Sequence, residues 1–447
     1  MLNKLLGVLF IINFAKSQHG DFFDYVSAPP LGAKQRNATC IAHDTKYTCD
    51  CRNSDEQMFL YPMDGSVYHI SISNCKSLIV APHTISNTQG LRSLTFTNVH
   101  NLILQENALE FPRLTSNTPL ILEFNNFSVK KIESLAITGN IEEIVFTDGR
   151  LELIRPFAFT SLKDRAVLLK FNNVQFNRIE PQAFKKFFID QFEISNSVML
   201  ANLPSKGFYD LEAVQFKIYN TSFKEIHSRA ISFKVSVNYF KAASKIILSD
   251  NHIEKIDGEW LEVPVLENVV IRNNHFGLTD PYAFKALSVH RDYKSSEKME
   301  LRFINNTIHQ TNILPLEFNK DFQLILKSLI YKNNFDCLSA DRAREKHFFK
   351  THAETIYFKS NQQENDYSKL AKILNEQCTK TASWIYIVAG VVSFIVLVLI
   401  ITGVLVYLHI KKKRKRKLDV VVPEPRTYRE TQIVLQIENA GLLKTDL

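Results

Sequence analysis

The chain has 447 residues, six of them cysteine, and a formal net charge of +8. Seven positive charges sit in one run, Lys411–Lys417, and residues 18–410 are near +1, so the basic balance excludes a nucleic-acid partner and points to acidic lipid beside that run. All six cysteines lie between Cys40 and Cys378, an even number that implies disulfides in an oxidising compartment, and the 261 cysteine-free residues after Cys75 exclude a small disulfide-stapled fold.

In chain order, residues 1–17 read as a cleaved secretory signal. Lys4 precedes the apolar run Leu5–Phe14, small Ala15 and Ser17 stand two apart, and the run is too short to span a bilayer. Segment 18–66 holds the sequon Asn37-Ala-Thr39 and then Cys40, Cys49 and Cys51. Together with Cys75, these cysteines allow three pairings.

From 67 to 334 the chain repeats itself about eleven times. The frame Ile141-x-x-Ile144-x-Phe146-x-x-Gly149-x-Leu151-x-x-Ile154 returns as Ala166, Leu169, Phe171, Val174, Phe176 and Ile179. Closing anchors such as Ile132, Ile154, Ile179 and Leu203 recur at gaps of 22 to 35 residues. The alternating pair within each unit predicts a short strand with its apolar residues inward. One turn cannot close a core, but stacked turns bury a continuous apolar column. Strands at ~4.8 Å spacing make this a parallel sheet roughly 50 Å along its stacking direction.

The outward residues of these strands form the candidate ligand face: Lys170, Asn172, Lys217, Tyr219, Arg272 and Arg302. They mix types without one dominant sign, which fits a protein partner better than a polyanion. Three more sequons begin at Asn126, Asn220 and Asn305 and share one slot of the repeat, so their glycans are expected along one edge of the strand face.

Residues 335–380, with Cys337 and Cys378, read as a C-terminal cap and stalk. Segment 384–410 carries no charged residue and exceeds the ~20 apolar residues that cross a bilayer. Trp384, Tyr386 and Tyr407 suit the two headgroup zones, and Lys411–Lys417 resists translocation. The expected topology is single-pass type I at the plasma membrane, with the cytoplasmic tail at 411–447. Within that tail, Glu438 with Leu442 and Leu443 resembles an acidic-dileucine sorting motif for adaptor proteins. Thr445-Asp446-Leu447 resembles a ligand for PDZ domains, which add a C-terminal peptide as a strand.

The repeat, the convex-side signature Ala158-Phe159-x-x-Leu162 and the cysteines at both ends resemble the transmembrane, extracellular leucine-rich-repeat family over residues 40–378. That resemblance implies an α/β repeat solenoid, a horseshoe with a concave parallel sheet, cysteine caps, and a Cys337–Cys378 bond. One departure stands out. The family's Asn after the strand occurs here only at 251, 274, 306 and 334, which predicts a weaker polar ladder in the N-terminal half. A general parallel β-helix is the structural alternative.

Enzyme chemistry finds no support: the thirteen histidines show no metal-ligand spacing and no nucleophile or phosphate-loop motif occurs, so no cofactor or metal is expected. The expected function is cell-surface recognition, as receptor or adhesion molecule, of an extracellular protein ligand or another copy of the chain. The alternatives are a co-receptor or trafficking adaptor working through the tail motifs, and a structural matrix-linking membrane protein.

Overall fold

The computed structural model describes residues 39–418 apart from 53–55, 89, 112–119, 161–165, 186–187, 235–244, 266–268, 290–297, 311–314, 336–342 and 360–366. The signal segment 1–17, Asn37, Cys337 and the tail motifs at Glu438, Leu442, Leu443, Thr445 and Leu447 lie outside the described residues. The chain divides into two compact units between Ile373 and Leu374.

The first unit is a parallel-strand solenoid of about ten turns. Three hydrogen-bonded ladders run along it. The first face begins at Lys46–Asp50 and His69–Ser73, continues through strands such as Leu120–Ile132, Ile141–Leu151 and Ala166–Phe176, and ends at Phe322–Lys327. The second face runs from Met58–Leu60 through Ser222–Ile226, His252–Ile256 and His275–Thr279 to Ile356–Lys359. The third collects shorter strands, from Leu109–Phe111 through Phe159–Thr160 and Phe184–Lys185 to Leu287–Val289.

The sequence explains both the strands and the corners between them. On the strands, apolar residues alternate inward: Ile144 and Phe146 are fully buried while Val145 is half-exposed. Between the first and second faces each turn places one residue at positive φ, and that residue is Asn or Asp at ten successive turns, from Asn74 and Asn98 to Asn273 and Asn305. Short polar side chains tolerate this left-handed conformation better than others do. The inward aromatics stack turn upon turn. Phe96, Phe124, Phe146 and Phe171 have ring centroids 5.0, 4.4 and 5.0 Å apart, and Phe159, Phe184 and Phe208 follow at 4.5 and 4.6 Å beneath the third face. These spacings match the strand repeat, so each ring lies on the next in an offset stack.

The α/β expectation meets a different arrangement. Among the described residues, helix occurs only at Ala343–Thr351, Leu370–Ile373 and beyond, and the repeats carry strand on all three faces. A horseshoe bends because helices on its back need more room than strands on its front. Here the back is also strand, at the same ~4.8 Å per turn, so the described repeats lack that cause of curvature. The Ala-Phe signature does fill the core as expected, since Ala158, Phe159, Ala183 and Phe184 are fully buried, but it does so from strand edges.

The polar ladder is also richer than predicted. A buried ladder does run only through the C-terminal half: Asn251 and Asn274 each donate to the Asn of the next turn, ending at Asn306. A second, outer ladder at the corner serves the N-terminal half, where Asn74, Asn98 and Asn126 each donate to the residue one turn earlier at 2.9–3.1 Å. It occupies the slot one residue before the one that the family pattern marks.

Both ends of the stack are closed. At the start, Thr39–His43 pairs antiparallel with Lys46–Asp50; the open pairing is resolved as Cys40–Cys49 across this hairpin and Cys51–Cys75 from cap to first turn. At the other end, Tyr367–Lys369 pairs antiparallel with Ile356–Lys359, and Phe335, Phe349 and Phe358 pack together beneath it. Cys378 is disulfide-bonded, and its expected partner Cys337 is outside the described residues.

The second unit opens with one π-helical turn, Leu374–Cys378, and continues as the helix Thr379–Leu418. Within it, Tyr386–Arg414 has a mean hydropathy of 3.0 and is long and apolar enough to cross a membrane.

Candidate recognition surface

The first face presents a broad row of side chains that the core does not use. Lys170, Asn172, Lys217, Tyr219, Arg272 and Arg302 all point outward from it, because each alternates with a buried neighbour such as Phe171, Ile218, Ile271 or Phe303.

Three of the six converge on residues that the sequence did not single out. Glu193, only 6% exposed, receives the Lys170 ammonium at 3.0 Å, the Tyr219 hydroxyl at 2.9 Å and the Gln191 amide at 2.9 Å. Burial pushes the Glu193 carboxyl up, but the hydrogen bonds from Lys170 and Tyr219 outweigh it and hold the group below the usual carboxylate value. The hydrogen bond to Glu193 in turn holds the Lys170 ammonium above its ordinary value. Beside this cluster the Asn172 carbonyl oxygen accepts from the Ser195 hydroxyl at 3.1 Å and from the Asn196 amide at 2.9 Å. The signal for Glu193 was present in outline: it sits between Phe192 and Ile194, two buried residues of an irregular repeat.

Of the other three residues, Lys217 lies beside that cluster and the two arginines stand apart from it. Lys217 is the register neighbour of Glu193 on the next strand. Arg302 is exposed and folds back on Glu300 of its own strand, 2.8 Å from Nε. Arg272 is exposed, and the aliphatic side chains around the two arginines, Ile247, Val270 and Ile304, are half-exposed. The C-terminal half of the face therefore combines cations with aliphatic surface, whereas its N-terminal half holds Glu123 and Glu143 among Ser and Thr.

The expected glycan sites fall on one line. Asn126, Asn220 and Asn305 are exposed at the positive-φ corner, and their sequon hydroxyls on Ser128, Ser222 and Thr307 follow one buried residue later. Register places them four and three turns apart, roughly 19 and 14 Å.

Two clusters lie away from the first face. Glu225, His227 and Asp257 bring ligand atoms within 4.8 Å of one another, but the Lys255 ammonium bonds Glu225 and lies 3.5 Å from Asp257, so a cation already fills the group. On the second face, the His252 and His275 rings stack at 4.8 Å, and the Lys332 ammonium is 3.0 Å from His275 Nε2. Comparison with protein families, curated proteins and solved structures gives no match for this chain.

Proposed function

We propose that this chain is a single-pass type I cell-surface recognition protein, a receptor or adhesion molecule of the extracellular leucine-rich-repeat kind, that binds a protein partner through the first face. The observation that carries the reading is the pattern on that face. Its outward positions alternate with a complete core, yet they hold lysine, arginine, glutamate, tyrosine and β-branched aliphatics on one rigid sheet. Mixed polar and aliphatic surface of this kind suits a protein interface. The disulfides at the N-terminal end and one membrane-length helix near the C-terminus support an extracellular position for the solenoid. The corner glycans would bound one edge of the face and leave its centre open.

The test uses steric blocking. Ile247→Asn completes a sequon with Ser249, and Val145→Asn completes one with Thr147, each at the centre of the face. Cells displaying the full chain should associate with each other or with cells of a panel, and either added glycan should abolish that association at matched surface level. Association that both added glycans leave untouched would remove the first face from recognition.

A further inference from the structure

We propose that the partner of the first face is the first face of a second copy of this chain, packed with the two stacks running in opposite directions. This rests on the reading of that face as the recognition surface and names what it recognises.

The first observation is shape. From Leu109–Phe111 to Leu287–Val289 all three sides of the described repeats are strand ladders with the same ~4.8 Å step, so this stretch of the first face lacks the helical wedge that bends a horseshoe. Without that wedge, two copies of the face can lie against each other strand over strand.

The second observation is charge. One outward row on this face is continuous in register. It runs in register from Thr48 to Ile325, and its eight charged and aliphatic positions start at Glu123 and pass through Val145 and Lys170 to Glu193. It continues from Lys217 through Ile247 and Val270 to Arg302. A two-fold axis parallel to the strands, between Glu193 and Lys217, maps these positions onto themselves in reverse. Glu123 then faces Arg302 of the second copy, Val145 faces Val270, and Glu193 faces Lys217. Lys170 faces Ile247, and Glu193, which already holds the Lys170 ammonium at 3.0 Å, is shared between it and Lys217 of the second copy. Each of these contacts occurs twice, as an isologous interface requires. The wider face agrees with the row. Its Glu123–Glu143 end would cover the end that carries Lys245, Arg272, Arg302 and Lys327, which stays net cationic although Glu300 holds the Arg302 guanidinium. Opposite potentials steer the encounter and fix the register.

The third observation is area. Eight strands and about five residues of each cover roughly 600 Å² on one copy, or about 1,200 Å² for the pair, the lower end of the range for specific interfaces. Contacts of that size are weak singly and become firm when many copies on one membrane engage together.

The experiment displays the full-length chain on cells and reads aggregation at matched surface level. Wild-type cells should aggregate with one another. Cells carrying only Arg302→Glu, or only Glu123→Arg, should lose aggregation among themselves. Mixed with each other, these two populations should form joint aggregates, because each supplies the charge that the other now needs. The double variant should aggregate with itself again. Failure of wild-type cells to aggregate, or single variants that aggregate as wild type does, would overturn the proposal, as would mixing that restores nothing. If homotypic aggregation is absent while binding to other cells persists and Ile247→Asn blocks it, the second copy is ruled out and the recognition reading stands.

Discussion

The Phe127 ring occupies the space that a side chain on Gly149 would need: a Cβ built on Gly149 would lie 2.5 Å from that ring. The two residues are register neighbours on adjacent turns, and the ring packs edge-on against Phe124 and Phe146. Gly149→Ala should therefore destabilise the solenoid by about 2 kcal/mol, as overpacking of a tight core does. Chemical unfolding of the full chain checks this. Combined with Phe127→Leu the loss should shrink, and purely additive losses would contradict the contact.

The buried ladder makes a second prediction. Asn274 accepts from the Asn251 backbone and side chain at 3.0 and 2.9 Å and donates to the Leu248 carbonyl at 3.0 Å. Asn274→Ala leaves several of these groups buried and unpaired, at a cost of about 3 kcal/mol. Asn196→Ala, on the exposed outer ladder, should cost about 1 kcal/mol, mainly because alanine resists the positive φ. Unfolding curves that rank the two the other way would show the outer ladder to be the stronger.

Histidine 275 sets a pH dependence. Burial, then the Lys332 ammonium and the imidazoles of His252 and His309, pushes the His275 pKa down to about 4. The folded chain thus keeps this ring neutral while the unfolded chain protonates it below ~6.5. Between those values the unfolded state binds more protons, so stability falls as the pH drops from about 6.5 towards 4, and this group contributes no slope above 7. In His275→Gln the difference in thermal midpoint between pH 7 and pH 4.5 should be smaller than in the parent chain.

Glycan occupancy is checked residue by residue. Asn126→Gln, Asn220→Gln and Asn305→Gln should each remove one glycan step on a gel when the chain is made in a secretory cell. The triple variant should run three steps faster. A single variant with unchanged mobility takes its asparagine off the proposed line.

Much of the first two faces was legible in the sequence. The frame that aligns Ile144 with Leu169, Phe146 with Phe171 and Gly149 with Val174 is also the hydrogen-bonded register. A strict period of two, with one residue at a fixed offset after the strand, leaves little freedom for slippage. The third face was not legible, because strands such as Phe159–Thr160 and Phe184–Lys185 are two residues long and carry no period. An Ala-Phe pair reads the same in a turn as in a strand edge. The outer corner ladder was legible only in part: the sequons mark its slot at Asn126, Asn220 and Asn305, but its hydrogen bonds depend on backbone handedness, which hydropathy does not carry. Within the candidate surface, Lys170 and Tyr219 were found as outward residues, but the carboxylate of Glu193 that joins them could be placed only once adjacent strands were brought side by side.

The antiparallel strands at the two tips have a consequence for solubility. A bare parallel stack would offer each end as a template on which further chains grow, and rods of this kind would join into fibres. Thr39–His43 and Tyr367–Lys369 run against the grain of the stack, so the parallel ladder is capped at both tips and does not itself present its edge there. End-to-end growth is then disfavoured, and the sides of the stack remain the surfaces through which copies can meet.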